Sequence, residues 1–164
     1  MTRRRVGRLA VSLLAMVALG LGVRPAFAGD GSVPFKASYS GSAAMTSQTT
    51  VSFNGSGNAT HMGWSTNTGI ADITGPATSC AGGIANVNTE TLTDNHGDTL
   101  TIVSIDVACP TGPGQVHGTG HWTVSGGTGR FAGATGQGSA DGGADFNAGT
   151  FTMSLDGTVQ LPGS

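Results

Sequence analysis

The chain has 164 residues, of which 29 are glycine, and carries seven basic against nine acidic side chains. Five of the seven bases, Arg3, Arg4, Arg5, Arg8 and Arg24, lie within the first 28 residues. Behind them only Lys36 and Arg130 face all nine acids, a net charge of −7 for residues 29–164. A surface this acidic repels phosphate backbones and excludes nucleic acid as a partner.

The opening stretch is a targeting segment rather than part of a fold. Arg3, Arg4, Arg5 and Arg8 form a basic region, Leu9–Leu21 an apolar run, and Ala26-Phe27-Ala28 a small-residue cleavage pattern before Gly29. The apolar run is short for a bilayer span, and nothing after it is apolar enough to anchor, so a signal peptide over 1–28 and no membrane span are expected. Val6-Gly7 fits the twin-arginine signal poorly, which favours the general export route. A secreted or extracytoplasmic protein follows, with one domain over 29–164.

Within that domain apolar residues recur with a period of two, the signature of strands with one wet face. Val33–Ser40 sets Phe35, Ala37 and Tyr39 against Lys36, Ser38 and Ser40. A second strand covers Thr49–Phe53, and Asn54-Gly55-Ser56-Gly57-Asn58 either breaks or bulges it. His61–Thr68 holds Trp64, Ile70–Thr74 is a short strand, and Pro76–Gly83 is a loop carrying Cys80. Ile84–Thr93, the turn Asp94–Asp98 and Thr99–Cys109 read as a long hairpin. Its far ends lie near each other, which brings Cys80 close to Cys109. In an exported chain these two cysteines are expected to form a disulfide, the alternative being two separate buried thiols.

Pro110–Gly114 turns the chain into a strand over Val116–Val124, where Gly118, Gly120 and Trp122 alternate with His117, Thr119, His121 and Thr123. Gly126-Gly127-Thr128-Gly129 reverses it, and the last strand sets Phe151, Met153, Leu155, Gly157 and Val159 against Thr152, Ser154, Asp156 and Thr158. Eight or nine strands and no helical period define an all-β protein. A closed antiparallel β-barrel of about eight strands is the leading architecture, with a β-sandwich as the alternative, since both hide strand edges. A Thr-rich solenoid lacks the fixed repeat it needs. One tyrosine and two tryptophans cannot form the aromatic girdles of an outer-membrane barrel.

The segment Gly126-Gly127-Thr128-Gly129-Arg130-Phe131-Ala132-Gly133-Ala134-Thr135-Gly136 resembles a motif of the allene oxide cyclase and dirigent-type β-barrel superfamily, in which GGTG, a basic residue and Phe precede a small-residue strand. Gly149-Thr150-Phe151-Thr152-Met153-Ser154-Leu155 is similar to the closing strand of short exported bacterial barrel proteins without an established role. The resemblance implies an eight-stranded antiparallel barrel with an apolar cavity, oligomeric in the better-known members. It carries no catalytic residue onto this chain.

Chemistry-bearing motifs are sparse. Gly127–Ala132 satisfies a relaxed dinucleotide fingerprint, but a strand rather than a helix follows it, so it reads as a turn. His117 and His121 on one strand face stand about 13 Å apart, too far for one zinc ion. No catalytic constellation, metal site or cofactor is expected. Glu90 is the one candidate acid in a polar stripe with Asn86 and Asn88. It is buried if that parity faces inward and solvated if Ala85 and Val87 do, and Asp72 and Asp106 share the ambiguity. The expected ligand-contacting side chains are Tyr39, Phe53, Trp64, Glu90 and Trp122, whose simpler role for the rings is core filling.

These observations favour an exported, soluble, non-enzymatic barrel that binds a small apolar or amphipathic ligand. The alternatives are an isomerase or lyase of the allene oxide cyclase or dirigent kind, in which a cavity acts as template with one carboxylate, and a structural cell-envelope protein with no ligand. Oligomeric state stays open.

Overall fold

A computed structural model describes residues 31–163; residues 1–28, the segment expected to be a signal peptide, lie outside the described residues. Eight strands follow one another: β1 Ser32–Met45, β2 Thr50–Ala59, β3 Gly63–Pro76, β4 Ile84–Asp94, β5 Thr99–Gly112, β6 Gln115–Gly127, β7 Thr135–Asp145 and β8 Thr150–Gln160. Each pairs antiparallel with the next, and β8 returns to β1 from Ser32↔Gln160 to Ser42↔Thr150, closing the barrel. Closure leaves no edge strand, which settles the choice between barrel and sandwich.

The barrel has two distinct ends. Turns β2–β3, β4–β5 and β6–β7 lie at one, here the closed end; turns β1–β2, β3–β4, β5–β6 and β7–β8 lie at the other, the mouth. Alternation places Phe35, Tyr39, Leu92, Leu100, Ile102, Trp122, Leu155 and Val159 inside, each at most 2% exposed. Near the closed end Phe35 meets Trp122 edge-on at 5.6 Å, and the indole Nε1 donates to the Ser139 carbonyl at 2.9 Å. Phe131, in a 3-10 turn over Gly129–Phe131, plugs that end and is 1% exposed.

Beside the plug, the Asp94 carboxylate accepts from the backbone N–H groups of His96 at 2.8 Å and Asp98 at 3.0 Å, and from Arg130 Nη2. Burial alone would raise the Asp94 carboxyl, yet the His96, Arg130 and Asp98 bonds outweigh it and hold the group below its ordinary range. The Arg130-Phe131 pair of the GGTG segment is thus a structural latch, with Arg130 outside on Asp94 and Phe131 inside.

The strands are longer than local composition suggests. Asn54–Asn58 neither turns nor breaks β2, because Gly55 faces Gly41 across β1–β2 and the two backbones nearly touch; a Cβ on Gly41 would sit 2.1 Å from the Asn54 carbonyl oxygen. These glycines serve close approach, not reversal. His61 and Met62 fall in the β2–β3 turn, and the remaining residues of the segments His61–Thr68 and Ile70–Thr74 join into β3, whose only interruption is a register shift between Ile73 and Gly75. At the mouth, Cys80 in the β3–β4 loop is disulfide-bonded to Cys109 of β5, 29 residues away in sequence. The hairpin argument for that bridge holds.

Candidate ligand cavity

Near the mouth the interior is not filled. A cavity of about 180 Å³ opens there, walled on most sides by apolar or small residues of β1, β2, β3, β6, β7 and β8, among them Ala43, Val51, Phe53, Val116, Ala144 and Phe151. Phe53 and Phe151 meet at 5.3 Å between ring centres and, with Met153, form a continuous apolar surface. One side differs: Asn86 and Asn88 of β4 and Ser104 and Asp106 of β5 give it a polar wall.

Register builds that wall. Asn86 lies opposite Asp106 and Asn88 opposite Ser104 across the β4–β5 pair, so a two-residue period delivers all four to one face. Asn88 Nδ2 donates to Asp106 Oδ2 and, at 3.2 Å, to Ser104 Oγ; Ser104 Oγ donates to the same Asp106 Oδ2 at 2.9 Å. That oxygen is saturated, while Asp106 Oδ1 and Asn88 Oδ1 are buried with no partner. Across β5–β6 Asp106 faces Gly120, where a Cβ would lie 1.9 Å from Asp106 Oδ1. Gly120 is therefore the space in which this carboxyl sits. Burial raises the Asp106 pKa, opposed by the Ser104 bond and by His121.

Deeper in the barrel lies a second polar group that does not line the cavity. Glu90 is 2% exposed, and Asn67 Nδ2 donates to its Oε2 at 2.7 Å. Burial pushes Glu90 up to about 7 against the Asn67 bond, with the Asp106 charge adding to the rise. Tyr39 Oη and Ser65 Oγ are 2.6 Å apart, and burial raises Tyr39 to about 12 in spite of that bond, the Glu90 charge reinforcing the rise.

Of the five side chains expected to contact a ligand, Phe53 lines the cavity. Tyr39, Glu90 and Trp122 are buried in the barrel but not on the cavity wall. Trp64 stands on the outer surface, 64% exposed. The inward parity of β4 is that of Asn86, Asn88 and Glu90, which resolves the ambiguity in favour of a buried stripe. Asp106 faces in; Asp72 is exposed and accepts a bond from Thr50 Oγ1 at 2.9 Å. Ser104 escaped sequence reasoning, because Val103, Ile105 and Val107 make the opposite parity of β5 the greasier one. That face points outward, leaving Ile105 69% exposed.

Among the described residues no group of three or more His, Cys, Asp or Glu side chains comes together to hold a metal ion. His117 lies instead 3.2 Å from Asp141 on the outer face. Among the described residues no helix is long and apolar enough to cross a membrane.

Fold and site together define a class: a closed eight-stranded antiparallel β-barrel with an apolar cavity open at the mouth and polar on one side. No protein-family model and no curated protein sequence matches the chain. Among solved structures it is similar to a pterocarpan synthase dirigent protein, with 16% sequence identity and a TM-score of 0.49, over 87% of this chain and 97% of that one. The eight-stranded antiparallel barrel implied by the GGTG-Arg-Phe segment is the architecture found.

Proposed function

We propose that this protein is an exported barrel that binds a small apolar or amphipathic molecule through the mouth of its cavity. One observation carries the reading: an otherwise close-packed barrel leaves about 180 Å³ empty on an apolar surface near its mouth. The disulfide and the signal-like segment at residues 1–28 support an oxidising, extracytoplasmic setting. Native mass spectrometry of the protein purified from its own host without detergent tests the reading. A co-purifying mass that disappears when Ala43 and Ala144 are both enlarged to Leu is the expected result; an empty protein that also fails to take up small aromatic probes contradicts it.

A second reading, a cavity that templates an isomerisation or elimination, is favoured by Asp106 rather than Glu90, since the Asp106 carboxyl is the one on the wall. Turnover abolished by Asp106→Asn with ligand uptake retained would separate catalysis from binding.

A further inference from the structure

Three of the four residues of the polar wall are turned to one another rather than to the cavity. Asn88 Nδ2, Ser104 Oγ and Asp106 Oδ2 are joined by hydrogen bonds. Asp106 Oδ1, packed against Gly120, and Asn88 Oδ1 have no accessible surface. Asn86 is the exception. Its inward parity on β4 puts it on the cavity wall, it is 7% exposed, and its side chain makes no hydrogen bond among the described residues. Unlike the orphan oxygens of Asn88 and Asp106, neither of its amide atoms is sealed off.

The register explains why Asn86 is left over. Its neighbours across the sheet are Ile73 of β3, which is apolar, and Asp106 of β5, which is engaged with Asn88 and Ser104. Ile73, Ile84 and Ala108 line the same cavity, so the amide stands among apolar groups. Buried polar groups are nearly always hydrogen-bonded, and a carboxamide more than nine-tenths buried but open to a cavity is placed for a partner that enters from outside. A carboxamide presents an acceptor and a donor side by side on one edge, so its best complement is a neutral group that does the same.

Charge and size narrow the guest further. No Lys, Arg or His lines the cavity, so an anionic head would lose its water without a counter-charge. A cationic head would find no carboxylate oxygen facing it, since both oxygens of Asp106 are engaged or packed away. A dry cavity of about 150 Å³ holds benzene, so about 180 Å³ accommodates one ring and a short substituent. We propose that Asn86 anchors the ligand, and that the ligand is a small neutral amphiphile pairing a donor and an adjacent acceptor, as a carboxamide or lactam does, with the Asn86 amide. This rests on the reading of the cavity as a ligand site. The apolar remainder of the guest lies against the rings of Phe53 and Phe151.

Titrating the purified protein near neutral pH with benzamide, acetophenone, benzoate and toluene, followed by amide chemical shifts, tests the proposal. The first three are nearly the same shape and differ in what the head group offers. Benzamide is expected to bind about fivefold tighter than acetophenone, which lacks the donor, and benzoate to bind weakest of the three. Asn86→Leu keeps the branching of the side chain and removes both polar atoms; it should weaken benzamide about tenfold and leave toluene within about threefold. Acetophenone or benzoate binding as tightly as benzamide, toluene binding alone, or benzamide indifferent to Asn86→Leu overturns the role of Asn86 while leaving the cavity a ligand site. Binding of none of the four overturns the ligand site itself and the proposal with it. If Asn86→Leu does not fold, the order measured on the unaltered protein decides, with Asn86→Ala, expected to bring benzamide level with acetophenone, as the second variant.

Discussion

The closed end and the mouth of this barrel are built from the same eight strands, yet they resolve their buried polar groups in opposite ways. At the closed end Asp94 has two backbone N–H groups and a guanidinium on one carboxylate, beneath a plug of Phe131 and an edge-on Phe35–Trp122 pair. At the mouth Asp106 has one oxygen served twice and the other not at all, beside space no side chain fills. The difference teaches where the fold's stability resides and where stability has been forgone for an open site.

That contrast can be broken most directly at Trp122. Trp122→Ala removes a fully buried ring at the closed end and is expected to cost about 4 kcal/mol by urea denaturation. A loss below about 1 kcal/mol would mean the closed end is not the stabilising core. At the mouth a disulfide ties the β3–β4 loop to β5. Reduction of Cys80–Cys109 is expected to lower stability by about 3 kcal/mol, since it frees a loop with a sequence separation of 29, while leaving the closed-end amides slowest to exchange.

The two buried carboxyls Asp94 and Glu90 should respond to pH with opposite signs. Glu90 stands at about 7 in the native barrel against 4.5 when free, so between those values the unfolded chain releases a proton that the native state keeps. Stability is therefore expected to fall as pH rises through that window, by about 3 kcal/mol in all, and to level out above it. Glu90→Gln should abolish the fall. Asp94 is held below its ordinary range, so its contribution is present above that range and lost as acid protonates it. Together they predict a stability maximum at about pH 4, between the free values of the two groups. A profile that rises steadily from pH 5 to 8 would show Glu90 to be ionised and solvated. The smallest effect belongs to the mouth: Asp106→Asn keeps the shape of the wall and should change stability by less than about 1 kcal/mol.

Much of the barrel was legible in the chain because alternation, turn composition and the Cys80–Cys109 spacing each reflect a local rule. Phe35, Ala37 and Tyr39 against Lys36, Ser38 and Ser40 admits one inward face, and that face is inside. Parity was illegible where both faces are mixed. In β5 the Leu100, Ile102, Ser104, Asp106 face is less apolar than the Thr101, Val103, Ile105, Val107 face, and only registration with β4 and β6 decides between them. The polar wall depends on that decision, which is why Ser104 went unnoticed and Asp106 stayed ambiguous. Glycine was the other blind spot. Gly41, Gly55 and Gly57 look like turn formers, but they press neighbouring backbones together inside strands, a use that depends on a partner far away in sequence.

Whether the mouth receives a small guest is tested most directly by the amide shifts of the protein on addition of benzyl alcohol. Saturable shifts confined to Asn88, Ser104, Asp106 and the strand residues flanking Phe53 and Phe151, with Trp64 and the Asp94 turn unmoved, are the predicted result. No shift at the polar wall, or shifts spread over the outer surface around Trp64, would contradict it.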